Sequence, residues 1–152
     1  MSLSEQMMKE WLKHREALQR LLDAIPDGQI GYKPWSGAMG LGELALHIAA
    51  STDMFVSTAK SGEGKITMPS VEECHTMADV RRAVQSFTEQ TKDTFASMTD
   101  EELEKEYASP HPNLHGPRKK LVKLAIDHEI HHKGQLFLYA RMVGAEQLPF
   151  FI

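Results

Sequence analysis

Apolar side chains recur along this chain at alternating steps of three and four residues, and that period admits amphipathic α-helix and little else. Leu3, Met7, Trp11, His14, Leu18, Leu21 and Ile25 form one continuous stripe that ends before Pro26-Asp27-Gly28, predicting a first helix of about 20 residues. From Pro26 to Gly40 two prolines and four glycines break the pattern, so the segment reads as a loop, packed by Trp35. A second stripe, Leu41, Leu44, His47, Ile48, Ser51 and Phe55, fades into Lys60-Ser61-Gly62-Glu63-Gly64. Thr76-Met77-Ala78-Asp79 has the form of a capping box and opens a third helix with inner positions Val80, Val84, Phe87, Thr91, Thr94 and Met98. Thr99-Asp100-Glu101-Glu102 is a second such box, starting a short helix that dies at Ser109-Pro110. The stretch His111 to Pro117 is too broken for regular structure. The last helix runs from about Arg118 to Val143, with Leu121, Ala125, His128, His132, Leu136, Tyr139 and Val143 along one face and Gly144 as its stop.

No run alternates convincingly as a strand, and no internal repeat is present. The class is all-α. Four long amphipathic helices in 152 residues are satisfied by a single four-helix bundle spanning residues 1–152. The loops before and after the second helix are long enough for crossover connections in place of tight hairpins.

Composition removes several function classes. Seventeen Lys and Arg against 21 Asp and Glu give a net charge of -4, which disfavours nucleic acid as a partner. The one compact basic run, Arg118, Lys119, Lys120 and Lys123, reads as the solvated start of a helix. No apolar stretch approaches the length of a membrane span, and the charged start has no signal-peptide character. The lone Cys74 cannot form an internal disulfide, so a cytoplasmic location is expected.

The inner stripes are interrupted by polar groups, and these point to chemistry. His128 and His132 lie about 40° apart on one helix face, one turn from each other, which is a suitable bite for one metal ion. A third ligand must come from another helix. His47 is the best placed, because it interrupts the stripe between Leu44 and Ile48, where an unpaired imidazole is costly. Thr91 and Thr94 break the third stripe and could line the same pocket, and His14 would complete the ring if its height matched. Each histidine taken singly is more often a hydrogen-bonded core residue; the conjunction of His47, His128 and His132 favours a site. Imidazoles suit zinc, nickel or copper, so ligand type alone does not choose the ion. His131 points elsewhere as a surface or supporting residue, and His75, His111 and His115 have no partner at ligand spacing.

Two motifs match by accident. His128-Glu129-Ile130-His131-His132 satisfies the zincin pattern H-E-x-x-H, but the only downstream candidate for a third ligand is Glu146, and the strands that shape a peptide cleft are missing. Glu129-x-x-His132 also fits the E-x-x-H of di-iron bundles, which need a second such motif and two further glutamates; the helical stripes contain no second copy.

Lys33-Pro34-Trp35, Gly42-Glu43-Leu44-Ala45-Leu46-His47-Ile48-Ala49 and His128-Glu129-Ile130-His131-His132-Lys133-Gly134-Gln135-Leu136, in this order, resemble the DinB-like metal-binding bundles over nearly the whole chain. The resemblance implies a four-helix bundle with crossover connections, often a homodimer, in which His47, His128 and His132 bind a divalent metal. The larger superfamily includes low-molecular-weight thiol transferases and a thiol-dependent isomerase. A metal-dependent enzyme on a small molecule, of thiol S-transferase or hydrolase type, is the expectation this carries, with zinc or nickel as the ion and a low-molecular-weight thiol as a second cofactor. The alternative is a non-catalytic metal-binding stress-response bundle. In the catalytic reading Glu129 would face solvent or orient a ligand, and Gln135 would donate into the pocket. The apolar tail Leu148-Pro149-Phe150-Phe151-Ile152 is expected to pack on the domain or in a dimer interface.

Overall fold

The computed structural model describes residues 1–152. Four long helices dominate it: α1 (Leu3–Ala24), α2 (Leu41–Ser61), α3 (Met77–Ser97) and α5 (Lys119–Met142), with a short α4 (Asp100–Glu104) between the last two. Most of them start or stop at a local cap that satisfies orphan backbone groups. Ser2 caps α1 in a reciprocal box with Glu5, and Thr99 does the same for α4 with Glu102. Thr76 caps α3 by accepting from the Asp79 amide. Gly62 ends α2 with φ 73°, the left-handed conformation that glycine adopts without a steric cost.

α2 packs between α3 and α5, and α1 packs against the same two helices from the other side. α1 therefore stands diagonal to α2, and α3 to α5. The connections α1–α2 and α3–α5 cross the bundle, as the long loops allowed. The core has two layers. One gathers Leu18, Leu21, Leu44, Ile48, Val80, Val84 and Leu136, and the other Trp11, Val56, Phe95, Leu121 and Ala125.

Several expectations need correction. Trp35 does not pack the α1–α2 loop; it is 65% exposed. Ile30, Tyr32 and Met39 seal that loop onto the core, and the amides of Leu41 and Gly42 donate to the carbonyls of Tyr32 (2.9 Å) and Ile30 (2.9 Å). Gly42 is small because a Cβ there would lie 2.5 Å from Ile30 Cγ1. The buried face of α3 runs Val84, Thr88, Thr91, Phe95, so Phe87 and Thr94 sit at its margin. The short helix stops at Glu104, and a two-stranded antiparallel pair follows, β1 (Glu106–Tyr107) with β2 (Gly116–Pro117). Two residues per strand are too few to produce an alternation pattern. No helix is long and apolar enough to cross a membrane.

Candidate metal centre

α2 and α5 lie side by side, and their shared face is where the chain departs from an apolar core. His47 stands on α2 between the buried Leu44 and Ile48, while His128 and His132 stand one turn apart on α5. Packing of the two helices brings the three imidazoles together at a half-buried position. One nitrogen from each lies within 4.8 Å of the others. Ring centroids are 4.8 Å apart for His47 and His128, 4.9 Å for His47 and His132, and 4.4 Å for His128 and His132. The Nε2 atoms of His47 and His128 face each other at 3.0 Å. Without an ion, a shared proton satisfies that pair. An ion held there would take a lone pair from each.

Neighbouring side chains fix the ring orientations. His132 Nδ1 donates to Gln135 Oε1 at 2.7 Å, which keeps the proton on Nδ1 and leaves Nε2 as a lone-pair donor. Ser51 Oγ stands 3.4 Å from His47 Nδ1. His128 Nδ1 is buried with no partner. Desolvation, then the proximity of His132, His47 and His131, holds His128 down to about 4. Burial is also the first cause of the lowered values of His47 and His132. All three rings are therefore neutral near pH 7, the state in which imidazole binds a metal. The donor set and its spacing fit one divalent ion.

The other sequence candidates separate from this cluster. His14 lies against Lys133, whose Nζ donates to His14 Nδ1 at 2.9 Å. Thr91 donates to Asp53 Oδ1 at 3.2 Å, and Thr94 turns back to the Gln90 carbonyl at 3.0 Å. His131 is exposed beside His132, with ring centroids 4.7 Å apart. His111 and His115 accept backbone amides within their own loop. Gln135 does support the cluster, but by accepting from His132.

Glu129 is the largest correction. It neither faces solvent nor touches a histidine; it is fully buried in the bundle. Its carboxylate accepts from Arg15 Nε (2.9 Å) and Nη2 (2.8 Å), from Trp11 Nε1 (2.9 Å) and from Thr52 Oγ1 (3.0 Å). Arg15 also donates to Thr88 Oγ1 at 3.0 Å, so this one network ties α1, α2, α3 and α5. A carboxylate so occupied cannot act as a zincin base or a di-iron bridge. A further Glu-x-x-His, Glu72 to His75, lies in the coil before α3 and away from any inner face. Sequence reasoning missed Arg15 and Lys133 as buried groups. The signal was available: Trp11 and Arg15 on α1, and Glu129 and Lys133 on α5, repeat at helical i, i+4 spacing.

A helical bundle with crossed connections and a histidine cluster between two adjacent helices defines the class of this protein. The chain belongs to the DinB family, whose model matches residues 1–151. It is 32% identical over 154 residues to the uncharacterized protein YjoA of Bacillus subtilis, covering 99% of this chain and 97% of that one. The crystal structure of that DinB-like protein superposes with a TM-score of 0.83, covering 96% of this chain and 97% of the other. A DinB-like protein of Bacillus cereus, 21% identical, shares the fold with a TM-score of 0.73 over 96% of this chain and 95% of its own.

Proposed function

We propose that the protein is a divalent-metal-binding member of its family, with His47, His128 and His132 as ligands, and that it acts as a metal-dependent enzyme on a small molecule. The observation that carries this is the convergence of three neutral imidazoles from two helices, with the His47 and His128 Nε2 atoms 3.0 Å apart. Zinc or nickel suits three nitrogen donors. Three neutral ligands would leave such an ion its double charge and an open position, from which it would lower the pKa of a bound water or thiol. This supports a thiol S-transferase or hydrolase type of reaction, with a low-molecular-weight thiol as the cofactor of the first.

This chain's own residues would supply the frame. Gln135 holds His132 in its tautomer, and Phe55, with its ring 6.2 Å from that of His128, adds an apolar wall. The alternative, a non-catalytic bundle in which the ion ties helices together, has less in its favour, because α2 and α5 already meet through Leu44, Ile48, Leu136 and Ala140. A homodimer is part of the proposal: Leu138 and Met142 stand 57% and 53% exposed one turn apart on α5, and a second copy would cover them. Light scattering on Leu138→Glu should then report a monomer.

The test is metal content by inductively coupled plasma mass spectrometry on untagged protein, beside His47→Ala and His132→Ala. A near-stoichiometric divalent ion lost in both variants supports the site. No ion in the wild type after incubation with zinc and with nickel would overturn it.

A further inference from the structure

Lys133 follows the cluster in sequence but turns off its face, toward α1. It is only 3% exposed, and no carboxylate lies within ion-pair distance of it. Its Nζ donates to His14 Nδ1 at 2.9 Å and to the backbone carbonyl of Phe151. Both partners are neutral or formally uncharged acceptors, and an ammonium has three protons to donate. Glu129, one turn earlier, is fully engaged by Arg15, Trp11 and Thr52. It acts favourably on Lys133 without touching it, while the cationic Lys13 and Arg20 act against it. A buried cation with no carboxylate in direct contact is costly, and a protein retains one where something else completes it.

Lys133 and His14 lie at the floor of a cleft of about 500 Å³ between α5 and the C-terminal tail. Its walls are Ile130, Phe137, Phe150 and Phe151, and Arg141 stands at its rim with the guanidinium 5.7 Å from the Phe137 ring. That size and lining, mostly apolar with Lys133 and Arg141 both facing the cleft, suit a small ligand.

We propose that this cleft is a second ligand site, separate from the histidine cluster, which binds a small monocarboxylate with an apolar or aromatic body. The carboxylate takes the remaining donor of Lys133 and the guanidinium of Arg141, and the body lies between Phe137 and the tail aromatics. Arg141 offers the planar fork that carboxylates prefer, and Phe150 and Phe151 supply the apolar cover. The Phe151 carbonyl already marks where an oxygen acceptor reaches Lys133.

Phenylacetate titrated into the metal-loaded, isotopically labelled full-length protein tests this by amide chemical shifts. Saturable shifts centred on Gly134, Phe137 and Phe151 are expected. Phenylacetamide, which lacks the charge, should bind at least about tenfold more weakly, the worth of a hydrogen bond to an ionised group. Arg141→Ala, at an exposed position, should weaken phenylacetate severalfold, and Lys133→Met should abolish its binding. His47→Ala should leave binding unchanged, which separates this site from the metal centre. Equal binding of acid and amide, shifts confined to the histidine cluster, indifference to Arg141→Ala, or no saturable shift at millimolar phenylacetate would overturn the proposal. The amide contrast and Arg141→Ala decide the matter even if Lys133→Met does not fold.

Discussion

Arg15 and Glu129 are both fully buried and bonded at 2.8 Å, so each is tolerable only because of the other. Arg15→Met would strand a carboxylate among Trp11, Thr52 and apolar side chains. We expect a loss of about 3–5 kcal/mol in urea unfolding, and substantial recovery when Glu129→Gln is added. Gln135 acts on a different quantity. It holds a histidine ring from an exposed position, so Gln135→Leu should leave the melting temperature unchanged while lowering metal affinity about tenfold or more, read by competition with a chromophoric chelator. His128 and Glu129 are neighbours in sequence, yet one faces the cluster and the other the core. Spacing alone identified the histidine pair, because two imidazoles one turn apart share a face in any helix. It could not reveal the fate of Glu129, whose partner Arg15 lies 114 positions away in the chain.

The helices themselves were legible because each carries a stripe of one period and a recognisable cap. Boundaries at Ser61, Thr76 and Thr99 fell where Gly62 and the capping side chains allow nothing else. The inner face of α3 was read rightly at Val84, Thr91 and Met98 but one position out at Phe87 and Thr94, since Thr88 resembles a surface residue until Arg15 is seen to need it. Trp35 misled for the opposite reason: a large aromatic ring was expected inside, while the smaller Ile30 and Met39 close that loop. At this scale Gly62 is the residue to change. Its φ of 73° and the Arg118 guanidinium packed where a Cβ would stand make Gly62→Val costly on two counts. The left-handed conformation contributes about 1–2 kcal/mol, and displacing Arg118 from the Lys60 carbonyl adds to it; thermal melts compared with Gly28→Ala, a left-handed glycine with open space around it, isolate the second part.

For the whole molecule, metal and stability are expected to be only loosely joined. The two core layers and the Arg15–Glu129 network hold α2 against α5 without an ion, so treatment with a strong chelator should move the melting midpoint by the mass-action term alone, leaving a cooperative fold. A midpoint collapse would instead favour the structural reading of the ion. pH should act more visibly. Unfolded histidines titrate near 6.5, and His128 is held down to about 4 in the fold, so between these values the unfolded chain binds more protons. Metal-free protein should therefore lose stability as pH falls through this window and show no such dependence above it. In His128→Phe that slope should flatten. Histidine binding of metal should weaken over the same acidic range, because protons and the ion compete for the same lone pairs.

Because Glu129 fastens α5 to α1 and α2 through Arg15, Trp11 and Thr52, the register of the helix does not depend on what stands at positions 128 and 132. The donor set is thus exchangeable cargo on a fixed chassis. Substituting His132→Cys or His132→Asp should retune which ion is preferred, softer or harder, while the bundle unfolds as cooperatively as before. On the proposed reading, this chain would exchange one ion for another, or lose it altogether, without first passing through an unfolded intermediate.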